Sequence, residues 1–239
     1  MKTKKYLISL LIISFAFLGF GQDTSEFFEG ADAFFKSNVT NGKVAYKKVK
    51  NDSGELHRLL EMAEKLTVSK ENAKAYQAFW INSYNLLVIK GIVDHYPVKQ
   101  PLDIAGFFDK TKHSVGGTEI TLNDIENKML RAEFSNEARF HFVLVCAGLG
   151  CPPIINEAYL PSTLEAQLQR QTVAAINNAD FIRVNKNKVQ ISQIFEWYKG
   201  DFEKNGSVTD FINTYRSEKL PEKSKVSYYS YDWTLNDAK

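Results

Sequence analysis

The sequence predicts an α+β fold: a helix-rich single domain with a small β-sheet. Three observations predict it. Apolar residues recur at helical spacing in several separate stretches, while short alternating runs are few and flanked by turn residues. Hydrophobic residues make up 44% of the chain and 17 are phenylalanine, enough for one sizeable core and too many for a disordered chain. No internal repeat, low-complexity tract or Gly/Ser linker divides it, so residues 22–239 read as one domain.

Residues 1–21 read as a targeting segment. Lys2, Lys4 and Lys5 precede an apolar run from Leu7 to Phe20, and Gly19 and Gly21 supply the small side chains of a cleavage site before Gln22. The run falls short of the roughly 20 apolar residues that a spanning helix needs. The expected location is periplasmic or secreted, with no stable membrane span after cleavage. No cysteine follows the run, so lipid attachment is not expected. Loss of the three lysines turns the formal +2 into about −1, and a near-neutral chain has no field to attract nucleic acid or an anionic membrane. The local run Lys43, Lys47, Lys48 and Lys50 reads as a solvated edge.

Phe27, Phe28, Ala31, Phe34 and Phe35 are spaced for a short helix with one greasy face. Residues 40–51 alternate around Val44 and Tyr46, as in a strand or extended arm, and lead to the turn Asn51-Asp-Ser-Gly54. Leu56, Leu59, Leu60, Ala63 and Leu66 give an amphipathic helix. Ser69 is the expected cap of the next helix, which carries Phe79, Asn82, Asn85 and Ile89 and ends near Gly91. That helix is apolar on most sides, so Asn82 and Asn85 must find partners. They either tie neighbouring loops to the helix or line a ligand cleft.

Pro97 biases Tyr96 to an extended backbone. Residues 114–120, with Gly116-Gly117, read as a hairpin or turn, and Thr121 caps a helix striped by Leu122, Ile125, Met129 and Leu130. Glu126 lies on that helix, with Arg131 near its end. Phe140 to Val145 reads as a buried strand. Helical spacing resumes from Leu164 to Ile176. Residues 181–184 and 188–191 flank Asn185-Lys-Asn187 as a hairpin. Ser192 caps a helix with Ile194, Phe195 and Trp197, and Val208, Phe211, Ile212 and Tyr215 form another. The aromatic tail from Val226 to Leu235 is expected to pack on the body.

Several of these segments resemble a known family. They are Ala78-Phe-Trp-Ile-Asn82-Ser-Tyr-Asn85, His95-Tyr-Pro97, Gly117-Thr-Glu-Ile-Thr-Leu-Asn-Asp-Ile-Glu126, Leu130-Arg131 and Arg139-Phe-His141-Phe. Further along they are Cys146-Ala-Gly-Leu-Gly-Cys151-Pro-Pro153, Ile194-Phe-Glu-Trp-Tyr198 with Asp201-Phe202, and Tyr231-Asp-Trp-Thr-Leu-Asn236. Together they resemble the domain of unknown function 547 family over about residues 72–236. The resemblance implies a compact helix-rich α+β domain, often exported in bacteria, with no assigned activity. The family commonly has histidine after the glutamate of the Ile-Glu segment. This chain has Asn127, which cannot serve as a general base.

The chemistry-bearing segment is His141-Phe-Val-Leu-Val-Cys146-Ala-Gly-Leu-Gly-Cys151-Pro-Pro, which holds both cysteines. A cysteine nucleophile needs a base or a positive environment. Cys151, after a glycine-containing loop whose amides can converge on an oxyanion, is the candidate. Cys146 is expected in the core. His141 or His95 would be the base, Glu126 or Asp232 the orienting acid, and Arg131 or Arg139 the anion clamp. These groups describe a thiol-dependent hydrolase or acyltransferase.

The competing expectation is a Cys146–Cys151 disulfide in an exported, non-catalytic module. Asn82, Asn85, Arg131, Arg139 and the tail aromatics would then line a pocket for a peptide, a glycan or a small molecule. No His-Glu-x-x-His or paired Cys-x-x-Cys is present, and Gly148 and Gly150 lack the third glycine and lysine of a nucleotide loop. No metal or other cofactor is therefore expected. His57 on its amphipathic helix and His113 in a polar loop read as surface residues.

Overall fold

The computed structural model describes residues 24–238, so the expected targeting segment at residues 1–21 lies outside the described residues. Helix α1 (Ser25–Asn38) buries Phe27, Phe28, Ala31, Phe34 and Phe35, the face its spacing predicted. A minimal hairpin follows, β1 (Val39–Thr40) against β2 (Lys43–Val44), turned at Asn41 and Gly42 with φ of 51° and 73°. The extended arm expected over residues 40–51 ends there, because α2 (Tyr46–Asn51) is a helix. Tyr46 and Val49 are three apart and both are buried, so one helical turn places them on one face. Helix α3 (Gly54–Lys65) buries Leu56, Leu59 and Ala63.

Helix α4 (Ala73–His95) is the central element and is buried without a break from residue 78 to 89. A helix apolar all round belongs inside a core. Its cap is Asn72, whose side chain accepts from the Ala75 amide at 3.2 Å. Ser69, the expected cap, sits one turn too early and accepts from Glu71 instead. The helix also passes through Gly91 to His95. A Cβ at Gly91 would meet the Phe107 ring at 2.6 Å, so this glycine admits a neighbour rather than ending the helix. Tyr96 is extended before Pro97, as expected.

Strands β3 (Lys112–Val115) and β4 (Thr118–Thr121) form the predicted hairpin, with Gly116 and Gly117 at positive φ. Thr121 caps α5 (Leu122–Asp124) by accepting from the Asp124 amide at 3.1 Å. The helix then widens. Ile125–Arg131 is a π-helix, and at its end the Ala132 amide donates to the Asn127 carbonyl five residues back at 3.0 Å. Such turns are rare and often occur at functional sites.

The buried strand expected from Phe140 to Val145 is not a strand. Ala138–Phe142 is a 3-10 turn, and residues 143–145 run on without a paired neighbour strand. Burial is as expected, but the pairing partner is a side chain. Asn85 Nδ2 donates to the Val143 carbonyl at 3.0 Å, and the Val145 amide donates to Asn85 Oδ1 at 2.9 Å. Asn82 does the same for Tyr159, at 2.7 and 3.0 Å. Each amide thus replaces a strand's two-point hydrogen bonding.

Helix α6 (Leu164–Asn177) follows. Strands β5 (Ile182–Asn185) and β6 (Lys188–Ser192) form the predicted hairpin. Helices α7 (Ile194–Trp197) and α8 (Lys199–Phe202) are short, and α9 (Val208–Tyr215) starts in a capping box of Ser207 and Asp210. Strand β7 (Lys225–Tyr229), from the aromatic tail, joins β6 in parallel and completes a three-stranded sheet.

The fold is α+β and helix-rich, with two core clusters. One gathers around α4. The other holds Phe142, Phe181, Phe195 and Phe202, and Cys151 packs against both. The tail crosses back to the start of the described chain. Asn236 accepts from the Val44 amide at 3.0 Å through its carbonyl and from the Tyr46 hydroxyl at 2.7 Å through its side chain. Among the described residues, no helix is long and apolar enough to cross a membrane.

Candidate functional site

A cavity of about 240 Å³ opens beside the cysteine loop. One part of its lining comes from Glu126 of the π-helix, His141 of the 3-10 turn and Tyr198 at the junction of α7 and α8. Another comes from Cys146 and Cys151, and a third from Trp197, Tyr231 and Trp233. The elements that position these groups come from the length of the described chain.

His141 is buried, with its imidazole stacked on Tyr198 at a centroid distance of 4.0 Å. Its Nε2 lies 2.9 Å from Asp201 Oδ2, and its Nδ1 lies 3.8 Å from Glu126 Oε1. Arg131 Nε donates to the same Asp201 oxygen at 2.6 Å, while its guanidinium lies over the Tyr198 ring. The hydrogen bond from His141, followed by that from Arg131, holds the Asp201 carboxyl well below the ordinary carboxylate range despite partial burial. Burial, and next the charge of Glu126, push the Tyr198 phenol well above its ordinary value. Asn127 accepts a hydrogen bond from Arg131 and donates one to the Asn123 carbonyl at 2.8 Å. Here that position braces the arginine.

The cysteines are free thiols with sulfurs 2.6 Å apart. Tyr231 Oη lies 2.8 Å from Cys146 Sγ and 2.9 Å from Cys151 Sγ, and the Cys146 amide donates to Cys151 Sγ at 3.0 Å. Burial opposes ionisation of Cys146. Hydrogen bonds from Cys151, Tyr231 and the Gly148 amide outweigh it and bring that thiol below its ordinary value. Burial and the neighbouring Cys146 charge push Cys151 well above its own. The pair therefore gives up one proton readily and holds the second. Burial, and next the adjacent sulfurs, raise the Tyr231 phenol, so it remains a donor.

The loop between the cysteines differs from the expected oxyanion nest. The Leu149 amide donates to the Thr234 carbonyl at 2.8 Å and the Gly150 amide to the Asp232 carbonyl at 2.7 Å. A Cβ at Gly150 would meet the Tyr231 ring and the Asp232 amide at 2.9 Å. These glycines let the tail approach, and the tail, further fixed by Tyr231 N–H donating to Gln193 Oε1 at 2.8 Å, delivers the Tyr231 hydroxyl. Cys146, expected in the core, lines the cavity instead, because the loop turns back toward it at Ala147 with φ of 64°.

The structure gathers Cys151, His141 and Glu126 around one cavity. His141 is not a hydrogen-bond partner of either sulfur among the described residues; the two share Tyr231 instead. His95 is exposed, hydrogen-bonded to the Gly91 carbonyl at 2.9 Å, and does not line the cavity. Asp232 accepts from the Thr234 amide and orients no histidine. The amides of Asn82 and Asn85 are engaged by backbone and lie outside the cavity lining, so they tie loops to α4 rather than face a ligand. Arg139 is held between Glu137 and Glu165, also away from the cavity. Arg131 supports the cavity through Asp201. Among the described residues, no three His, Cys, Asp or Glu side chains group to hold a metal. His57 is exposed, and His113 lies on β3 with a buried Nε2. Asp201 and Tyr198 carried no predicted role, and Tyr231 only that of a pocket-lining tail aromatic. The Tyr198-x-x-Asp201 spacing and the tyrosine-rich tail were their signals.

Comparison with known proteins gives one match. No curated protein and no solved structure matches. Residues 68–174 match the family described as "Protein of unknown function, DUF547". The resemblance noted from the motifs extends to about residue 236, beyond the matched segment. The segment contains both cysteines, His141 and Glu126, the residues that sequence alone placed at the centre of the chemistry. This chain therefore carries a DUF547 domain over residues 68–174.

Proposed function

We propose that the protein is an exported, thiol-dependent hydrolase or acyltransferase. The observation that carries this reading is the Cys146–Cys151–Tyr231 cluster in the lining of a cavity that also holds Glu126 and His141. The sequence favoured Cys151 as nucleophile. The hydrogen bonds around the pair favour Cys146 as the thiolate, with Cys151 keeping its proton. Cys146 would add to an acyl carbon, Tyr231 would donate to the developing oxyanion, and Cys151 would give its proton to the leaving group. Water, or a second acceptor, would then cleave the thioester and return a proton to the pair. His141, fixed by Asp201 and stacked on Tyr198, and Glu126 are the groups suited to take the proton from that water.

The close approach of the two sulfurs favours one second reading. In it the pair is oxidised after export, and the cavity belongs to a non-catalytic module for a peptide, glycan or small molecule.

Alkylation of the natively exported protein with iodoacetamide, followed by intact mass and peptide mapping, tests both. On the first reading, Cys146 labels without reductant, still fast at pH 6, and the mass begins at Gln22. No label until reduction and unfolding would establish the bridged module. Two thiols labelling at the slow rate of an ordinary cysteine would overturn the catalytic reading.

A further inference from the structure

The cavity's walls and its charge point to a ligand class. Trp197 and Trp233 stack at 6.0 Å and 23°, and Tyr231 packs against both at 5.0 and 4.7 Å. Phe108 flanks Trp233 at 6.3 Å. These rings line the same space as the Glu126 carboxylate. The nearby fixed charges do not balance. Arg131 is engaged by Asp201, while Glu126 faces the His141 ring at 3.8 Å and shares a hydrogen bond with the Tyr198 hydroxyl, a neutral donor. One carboxylate charge, that of Glu126, is left over.

Aromatic rings beside a carboxylate attract cations and repel carboxylates and phosphates. An apolar cavity of 150 Å³ accommodates benzene, so about 240 Å³ suits a group of roughly eight to ten non-hydrogen atoms. We propose that the cavity binds a small organic cation, a primary or quaternary ammonium group, as a free molecule or as the charged part of an acyl substrate. This deepens the proposed function and rests on the same cavity, but not on the reactivity of its thiols.

The test is a titration of the exported protein with choline, n-butylammonium and the neutral choline isostere 3,3-dimethylbutanol. It is followed by tryptophan fluorescence and calorimetry. Two of the three tryptophans line the cavity, so binding should quench emission. At least one cation is expected to bind saturably and at least tenfold tighter than the isostere. Glu126→Gln and Trp197→Ala should each weaken it about tenfold. Trp197 is 46% exposed, so its replacement leaves the core intact and serves if the Glu126 variant does not fold. Equal binding of cation and isostere, no saturation by either cation, or no effect of Trp197→Ala would overturn the proposal. Cation binding by a protein with unreactive cysteines would sink the thiol reading alone. Reactive cysteines without cation binding would sink this one alone.

Discussion

Tyr231 Oη lies 2.8 Å from Cys146 Sγ although 85 residues separate the two. The tail thus completes the thiol environment, and Tyr231→Phe removes the donor shared by both sulfurs while keeping the ring. A hydrogen bond to a charged group contributes about 1.5–3 kcal/mol, so alkylation at pH 6 should slow by roughly tenfold or more. Thermal unfolding should change little. Stopped-flow labelling at pH 5–8 checks this, and an unchanged rate would remove Tyr231 from the thiol chemistry.

Gly150→Ala should produce the same slowing by a different route. Its Cβ would meet the Tyr231 ring and the Asp232 amide at 2.9 Å, forcing the tail off the loop. Unlike Tyr231→Phe, it should also destabilise the fold, by about 1–3 kcal/mol for overpacking. Labelling and denaturant melts on the same sample separate the two effects.

Asp201 links the site to pH. Its carboxyl ionises more easily in the folded state than in the unfolded chain, chiefly through the His141 hydrogen bond and then Arg131. The unfolded chain therefore takes up this proton first as pH falls. The stabilisation is complete well above the ordinary aspartate value and is lost as pH drops below about 4 toward the lower folded value. Asp201→Asn should cost about 1–3 kcal/mol at pH 7 and flatten the acid limb. Urea midpoints from pH 7 to pH 3 read both.

Asn85→Ala should be more damaging than its small size suggests. It orphans the buried Val143 carbonyl and Val145 amide and leaves a gap in α4. The cost is about 2–4 kcal/mol. Asn85→Asp keeps the shape but puts an acceptor against the Val143 carbonyl, and should be no better. If both variants melt like the parent, the amide is not what holds residues 143–145.

Much of the fold was legible because its signals are local. The stripes of α1, α3, α6 and α9, and the glycine or asparagine turns of β3–β4 and β5–β6, depend on neighbouring residues. Misplaced elements involve long-range partners. Phe140 to Val145 has a strand's composition, yet its backbone pairs with Asn85, some 60 residues away. The π-turn at Ile125–Arg131 leaves no periodic trace, since Leu122, Ile125 and Met129 fit an α-helix equally well. The site shows the same division. His141, Glu126 and Cys151 were legible as residue types in one ordered stretch. Asp201 and Tyr231 belong to the site only because β7 and α8 bring them there. The loop glycines looked like an anion nest because a sequence does not show that a distant segment takes their amides.

The division of the cavity lining sets where this chain can be cut. Trp197, Tyr198, Tyr231 and Trp233 of the lining, and Asp201 that holds His141, all lie beyond residue 174, where the family match ends. An expression clone trimmed to that match would keep both cysteines and lose the phenol between them. It would also discard the ring beneath His141, the carboxylate that holds it, and the Asn236 strap that closes on Val44 and Tyr46. Such a fragment would expose the Cys151 seam to solvent and invite cross-linking between molecules. Inactivity measured on it would describe the trimming and not the protein.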